Sequence, residues 1–335
     1  MSIRKLLAAG GACAILFHFA LTAHGYEDVG DLLRSILSDQ RLITASVAVE
    51  LGGFHSDTPA APQSPEGSPT PDLITPTPTP EMTEEILETS ITGGMTIDNQ
   101  TEYDIDAAEL LIQGPSIALA SDEPQVLIIH THSSEAYTMD NVDRYEPSDP
   151  GRTQDTNYNI IRIGDELTEG LRACGLNVIH DCGIYDYPSY TGSYTRTGEA
   201  IQAYLNEYPS ISIIIDVHRD AIGDGDVVYK TVAENEGETS AQVMFVVGSE
   251  GSGLEHPEWE ENLKLAMYLQ SAVNPQHPTL MRPIKLVNER YNQQLTTGSL
   301  ILEVGSSGNT LQEALTATRL FAESAGPALE KLIES

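Results

Sequence analysis

The amino-acid sequence predicts an α/β fold: a single three-layer domain with a twisted, largely parallel β-sheet covered by helices on both faces. Three observations predict it. From about residue 120 onward, short apolar runs of the buried-strand type alternate with segments whose apolar residues keep helical spacing. The apolar runs lack polar alternation, which is typical of strands buried on both faces. Gly175, directly after the first helical segment, is a helix stop signal.

The individual elements are predicted in chain order. Val126–Ile129 is the first buried strand, and a helix follows in which Ile160, Ile163, Leu167 and Leu171 share one face. Further strands are predicted at residues 177–180, 211–217, 227–232, 242–247 and 300–304, and further helices at residues 198–207, Trp259–Val273 and from about Leu311. Residues 120–335 are therefore expected to form one folded domain.

The first third of the sequence has a different character. Arg4 and Lys5 precede an apolar run over residues 6–23, so residues 1–25 are expected to be a signal peptide or signal anchor, with the remainder extracytoplasmic. A short juxtamembrane segment, residues 26–55, follows. Residues 56–119 combine a Pro/Thr-rich linker, expected to be disordered, with a segment from about residue 82 that fits either linker or domain edge.

The charge balance and the cysteines exclude some functions. Seventeen basic against 50 acidic residues give a net charge of −33, which argues against a nucleic-acid partner. Cys174 and Cys182 fit either a disulfide or two free thiols. No C-x-x-C pair occurs, so no cysteine-built zinc site is expected.

Three predicted strands end in residues suited to zinc. His130 and His132 follow the first strand, His218 ends the strand of residues 211–217, and Glu303 lies in the last strand. Each is weak alone, because a histidine at a strand end is more often structural than a ligand. A glutamate in a buried strand, however, requires a cationic partner. Since the carboxyl ends of parallel strands meet at one edge of a sheet, a hydrolytic zinc site is expected there.

Longer motifs around these residues resemble a known family. Residues 126–138 (VLIIHTHSSEAYT), 178–196 and 216–221 (DVHRDA) look like the motifs of the stage II sporulation protein P (SpoIIP) family. The resemblance covers about residues 120–330, and an export signal followed by a Pro-rich spacer matches the family's layout. It implies a zinc-dependent peptidoglycan amidase and endopeptidase of engulfment, working in a membrane complex with SpoIID-like and SpoIIM-like partners.

The domain also looks like a distant relative of the zinc-dependent N-acetylmuramoyl-L-alanine amidases. That resemblance implies His132 and His218 as metal ligands and Glu303 as the catalytic residue, and it matches Arg196 to an arginine of those enzymes, implying substrate binding. The third ligand departs from their pattern: Asp155 occupies the expected place, whereas Glu135 has the His-x-x-Glu spacing of a zinc pair. Glu135 is favoured, and His130 is left open between a ligand and a supporting partner.

The function predicted from the sequence is that of a Zn²⁺-dependent peptidoglycan hydrolase that cleaves the amide between N-acetylmuramic acid and L-alanine in sporulation. A zinc endopeptidase acting on stem peptides and a metal-free glycan-binding scaffold are the alternatives. The tyrosines between residues 185 and 194 are expected to build a packed loop, with a groove wall as the other interpretation. His180 is expected to have a structural role at its strand end.

Overall fold

The computed structural model describes residues 83–86, 95–223, 227–235 and 237–334. The predicted export segment (1–25), the juxtamembrane segment (26–55) and the Pro-rich stretch (56–81) lie outside the described residues. Within the described ranges, no helix combines the length and the apolar character that crossing a bilayer requires.

The secondary structure alternates as the sequence predicts. The strands are β1 (Thr83–Ile86), β2 (Ile97–Asn99), β3 (Val126–Ile129), β4 (Val178–His180), β5 (Ile213–Asp220), β6 (Val227–Lys230), β7 (Ala233–Asn235), β8 (Glu238–Ser240), β9 (Val243–Gly248), β10 (Ile284–Val287) and β11 (Gly298–Ser306). The helices are α1 (Ala107–Gln113), α2 (Ile160–Ala173), α3 (Ser193–Glu207), α4 (Trp259–Val273) and α5 (Leu311–Glu330).

Seven of these strands form the main sheet, in the order β2-β10-β9-β11-β5-β3-β4. The strands β4, β3, β5 and β11 are parallel neighbours. Strand β9 pairs antiparallel with β11, and β10 and β2 continue parallel to β9. The prediction of a largely parallel sheet is therefore confirmed, with one antiparallel junction at β9.

Helices cover both faces of the sheet because neighbouring residues of each strand point to opposite sides. Ile128 of β3 belongs to the larger core, which also contains Ile163 of α2 and Phe321 of α5. Leu127 of β3 belongs to a smaller core with Ile201 of α3. The three-layer arrangement predicted from the sequence is confirmed.

Some elements differ from the sequence prediction. Helix α3 begins at Ser193, five residues before the predicted start, because the chain enters it from Gly192 in the left-handed region without a side-chain cap to mark the start. Strand β6 pairs with β1 in a separate two-stranded sheet. The segment from residue 82, left open between linker and domain, contributes α1 and the edge strand β2, which pairs with β10.

Candidate active site

Strands β3, β5 and β11 are adjacent and parallel, so their carboxyl ends meet at one edge of the sheet. His218 lies near the end of the central strand β5. Glu303 of β11 is its direct register partner, which places both side chains on the same face. His132 lies three residues beyond the end of β3. The structure thus brings together the three strand ends that the sequence singles out.

The turn after β3 is anchored to β5 by a buried carboxylate. Asp216 accepts hydrogen bonds from the backbone N–H of Thr131 at 2.8 Å and from the Thr131 hydroxyl at 2.6 Å. The turn then folds back, and the N–H of Glu135 donates to the carbonyl of His132 at 3.0 Å. These bonds direct the His132 and Glu135 side chains toward the end of β5.

The imidazole rings of His132 and His218 approach at right angles, with centroids 5.2 Å apart. Glu135 Oε2 lies 3.6 Å from His218 Nδ1 and accepts the backbone N–H of Arg219 at 3.2 Å. His218 Nε2 lies 2.9 Å from Asp216 Oδ1, but without hydrogen-bond geometry. The four side chains are buried, so their charges and lone pairs act in a medium of low dielectric constant.

Three buried polar atoms at this edge lack a hydrogen-bond partner within the described chain: His132 Nδ1, His218 Nε2 and Glu303 Oε2. Buried polar atoms are nearly always satisfied, so such a group requires an explanation. Imidazole nitrogens and a carboxyl group at one sheet edge are groups that a cation and a reacting water would satisfy.

Burial and neighbouring charges determine the protonation of the site. Burial lowers the pKa of His132 to about 3, which keeps its lone pair free. For Glu135, burial is outweighed by His218 and Arg219, and its pKa lies well below the usual range. The pKa of His218 is raised because the Asp216 and Glu135 carboxylates outweigh burial. Burial, followed by the Asp220 carboxylate, raises the pKa of Glu303 to about 8.

Zinc, which the family resemblance implies, fits these residue types. Two imidazoles and one carboxylate form a common hydrolytic zinc set, with a further position left for water. The unpartnered Nδ1 of His132 provides one nitrogen donor, and His218 provides the second once metal binding displaces its proton. Within the described residues, the donor atoms of His132, Glu135 and His218 do not all lie within 4.8 Å of one another, so holding one ion requires side-chain rotation.

Comparison with known proteins identifies the family. A family model described as "Stage II sporulation protein P (SpoIIP)" matches residues 69–325. The chain belongs to this family. Stage II sporulation protein P of Bacillus subtilis (strain 168) is 28% identical over 220 residues, which is 62% of this chain and 52% of that protein. The chain therefore spans about half the length of that relative, and the resemblance seen in the motifs is confirmed.

Several solved structures resemble the SpoIIP-family chain at low identity. The N-acetylmuramoyl-L-alanine amidase AmiC2 of Nostoc punctiforme is 12% identical with a TM-score of 0.35, covering 62% of this chain and 96% of that chain. The amidase Ami1 from Mycobacterium smegmatis is 12% identical with a TM-score of 0.35, covering 64% and 98%. The CwlD amidase from Clostridioides difficile, in complex with the GerS lipoprotein, is 13% identical with a TM-score of 0.35, covering 62% and 98%.

Tyr190, expected from the sequence in a packed loop or a groove wall, and Arg152, which the sequence interpretation missed, cover His132 in this SpoIIP-family chain. The ring of Tyr190 stacks on the His132 ring at a centroid distance of 4.4 Å, and its hydroxyl lies 2.9 Å from Nε2. Arg152 lies 4.9 Å above the Tyr190 ring and also contacts Asp186 at 2.5 Å and Glu135 at 3.5 Å. These contacts span long sequence distances, and no local spacing predicts them.

Asp216 was also missed as a functional residue, although the sequence contains a signal for it. Residues two apart on a strand share a face, so Asp216 in Asp216-Val217-His218 has to lie beside the histidine. The structure places its carboxylate between His218 and Thr131. It orients the His218 ring and fixes the turn that carries His132.

Arg196, Asp155 and His130 have hydrogen-bond partners other than His132, His218 and Glu303. The guanidinium of Arg196 donates to the carbonyls of Tyr185 at 2.7 Å and Thr191 at 3.2 Å, and so holds the loop that contains the tyrosines between residues 185 and 194. Substrate binding by Arg196 stays a prediction. Asp155 is exposed and accepts the backbone and side-chain N–H groups of Asn157. His130 is fully buried with its own set of partners.

Proposed function

We propose that this SpoIIP-family chain is a zinc-dependent peptidoglycan hydrolase that cleaves the amide bond between N-acetylmuramic acid and L-alanine during engulfment. The proposal rests above all on one observation: the His132 and His218 rings lie at one sheet edge with centroids 5.2 Å apart, beside the buried Glu135 carboxylate, and Glu303 is the register partner of His218. Two imidazoles and two carboxyl groups, one of them with a raised pKa, are a set that a hydrolase uses and that a glycan-binding scaffold does not require.

In this proposal, His132, Glu135 and His218 would hold the zinc ion. When bound, zinc supplies Lewis-acid chemistry that polarises an amide carbonyl. Glu303 takes the proton of the attacking water and then delivers it to the leaving nitrogen of L-alanine. Burial and Asp220 raise its pKa to about 8 in the metal-free protein, far above that of an ordinary carboxyl, as is typical of a group that both accepts and donates a proton. Asp216 keeps His218 oriented.

Product analysis of digested sacculi tests the reaction. Cleavage at the lactyl amide leaves glycan strands without peptides and stems with a free amino group on L-alanine. A zinc endopeptidase would instead create termini inside the stem and leave peptide stubs on the glycan. Mass spectrometry of the soluble products is expected to show the first set. Sacculi that are bound but uncut by the zinc-loaded protein would favour the scaffold function.

A titration of two variants tests the third ligand. Glu135→Ala is expected to lower zinc affinity by about 10-fold or more, because a buried carboxylate beside His218 is removed. Asp155→Ala is the matched control and is expected to leave zinc affinity unchanged, since the Asp155 side chain is exposed and accepts hydrogen bonds from Asn157, two residues away. Competition against a chromophoric chelator measures both; the reverse order would reassign the ligand to Asp155.

We further propose an extracytoplasmic location, with the protein tethered to the cell membrane by its N-terminal segment or secreted, and SpoIID-like and SpoIIM-like proteins as membrane partners. These proposals rest on the apolar run after Arg4 and Lys5, the Pro-rich spacer and the family membership. Peptidoglycan, the substrate, lies on the same side of the membrane.

Deletion of the spacer tests this arrangement. Removing residues 56–81 is expected to leave sacculus digestion by the purified protein unchanged but to impair engulfment in cells. An extended Pro-rich chain covers ~3.1 Å per residue, so the deletion shortens the reach from the membrane. Replacement by an unrelated Pro-rich sequence of equal length is the control and is expected to restore function. Normal engulfment without any spacer would contradict the proposal.

A further inference from the structure

A second cluster of donor side chains lies at the end of the edge strand β4, on residues that the proposed reaction does not use. It consists of Asp165 on α2, His180 at the end of β4 and Cys182 just after it. One donor atom from each lies within 4.8 Å of the other two. His180 Nδ1 is 3.1 Å from Asp165 Oδ1 and 3.7 Å from Cys182 Sγ. Within the described chain, this is the tightest convergence of nitrogen, oxygen and sulfur donors.

Hydrogen bonds on the inner side of the His180 ring determine which ring nitrogen carries the hydrogen. The other nitrogen presents its lone pair to the cluster. The carbonyl of Val217 can only accept, so His130 Nδ1, at 3.0 Å, carries the hydrogen of that ring. His130 is fully buried between a carbonyl and an imidazole, an environment that favours the neutral ring. Its Nε2 is then an acceptor, and His180 Nε2, at 2.9 Å, must donate to it.

The consequence appears on the other side of the His180 ring. With its hydrogen on Nε2, a neutral His180 directs the Nδ1 lone pair at the Asp165 carboxylate, which is itself an acceptor. Two acceptors at 3.1 Å repel unless a proton or a cation lies between them. A cation shared by the nitrogen, the carboxylate and the sulfur satisfies all three donors.

A glycine in α2 allows this arrangement to form. Gly164 packs against the His130–His180 pair, and a Cβ at this position would collide with Nε2 of both rings. The next residue, Asp165, then presents its carboxylate to His180. The His180 side chain is 7% exposed and that of Asp165 is 56% exposed, so the inner donor is rigid and the outer one is open to solvent. An ion can therefore enter from solvent onto a preformed nitrogen donor.

We propose that Asp165, His180 and Cys182 form a second metal site that binds a divalent transition metal of the zinc class. One imidazole, one thiolate and one carboxylate match the ligand preferences of zinc, and solvent can occupy the fourth position. Binding displaces the Cys182 thiol proton to water, so the thiolate is the ligand. The absence of a C-x-x-C pair does not exclude this site, because only one cysteine is needed.

The position of this site assigns it a structural role. The bound metal would fasten α2 to the segment that follows β4. That segment carries Asp186, which binds Ser134 and Arg152, and Tyr190, which stacks on His132. The metal would therefore hold the loop that covers the candidate active site, and the inference does not depend on which bond the protein cleaves.

Cobalt substitution of the full-length protein tests the proposal, because Co²⁺ bound to a thiolate gives a near-ultraviolet charge-transfer band. The His132 site contains no sulfur, so this band reports on the second site alone. Adding Co²⁺ to the reduced, metal-free protein is expected to produce the band, which saturates when about one equivalent has bound to this second site. Cys182→Ala is expected to abolish it, and Asp165→Asn to weaken Co²⁺ binding there by about 10-fold or more.

The other two cysteines provide the matched control. A protein with Cys13→Ala and Cys174→Ala together retains only Cys182 and is expected to keep the full band. Cys182 is exposed, so its replacement leaves the fold intact, which circular dichroism checks. A protein that binds Co²⁺ without any thiolate band, or a band that survives Cys182→Ala, overturns the second site, while sacculus digestion reports separately on the first.

Discussion

Glu303→Gln is expected to lower turnover on purified sacculi by about 10²–10⁴-fold, the range that a positioned general acid–base contributes. Glutamine keeps the size and shape of the side chain but cannot accept a proton. Glu303 Oε2 has no hydrogen-bond partner in the described chain, so the substitution breaks no bond of that oxygen. Zinc content is expected to stay at the unsubstituted level, because Glu303 is interpreted as a proton carrier and not as a ligand.

The pH profile provides a second measurement on the same residue. Glu303 acts as a base only when ionised, and its pKa is raised to about 8 in the metal-free protein, by burial first and by Asp220 second. Activity is therefore expected to rise with pH along an acidic limb. Asp220→Asn removes the nearby negative charge, which lowers the pKa of Glu303 and moves that limb to lower pH while the plateau remains.

The alternative outcomes for Glu303 are distinct. Loss of zinc from Glu303→Gln would make Glu303 a ligand and reopen the roles of Glu135 and Asp155. Full activity would place the base elsewhere, with Asp220 and Glu135 as the next residues to replace. Co-sedimentation with sacculi is the control for substrate binding, and it is expected to be unchanged in the variant.

The residues at this sheet edge were predictable because the sequence signals for them are local. The runs Val126–Ile129 and 211–217 are apolar enough to be buried. Each is followed directly by a histidine, at the point where a parallel sheet presents the carboxyl ends of its strands. Glu303 was recognisable for the opposite reason, as a carboxylate in a strand that is otherwise apolar. The burial pattern and the strand direction were sufficient to predict that these residues lie at one edge of the sheet.

The far side of the sheet was not predictable in the same way. Strand β2 has three residues and β10 has four, and their pairing depends on contacts across the chain rather than on their own composition. The antiparallel direction of β9 likewise follows from the route of the chain between β9 and β11. Short edge elements contain too little local information to be distinguished from loops.

The side chains that cover His132 were not predictable from the local sequence either. Arg152 and Tyr190 approach His132 from segments about 20 and 58 residues away, and their contacts depend on how two loops fold against each other. Arg196 is a further example: its motif position suggests substrate binding, which stays a prediction, but it does not indicate that the guanidinium donates to the carbonyls of Tyr185 and Thr191. A motif fixes where a residue lies in the chain, but not the partners that its side chain finds.

Removal of either histidine from the sheet edge is expected to abolish zinc binding at the candidate active site and, with it, digestion of sacculi. The measurement is best made in a Cys182→Ala background, so that the thiolate site does not contribute. That protein is expected to retain about one zinc after dialysis. His132→Ala and His218→Ala are each expected to lose it, because a hydrolytic site with two protein ligands does not hold zinc through dialysis.

His132→Ala is the cleaner of the two variants. His132→Ala removes the contact of Nε2 with the Tyr190 hydroxyl, but it leaves no buried charge without a partner. His218→Ala, in contrast, leaves the buried Asp216 carboxylate without its charged neighbour, which destabilises the fold as well as the site. The free energy of unfolding is therefore expected to fall more for His218→Ala than for His132→Ala, and chemical denaturation measures this difference.

A matched control separates loss of the ligand from loss of any buried imidazole. His256 is buried as well, but its Nε2 contacts Asn262 of α4. His256→Ala is expected to retain zinc and sacculus digestion at the level that its remaining folded fraction allows. If His132→Ala kept its zinc by elemental analysis and digested sacculi at the unsubstituted rate, the buried lone pair of His132 would require another explanation, and the zinc hydrolase proposal would fail with it.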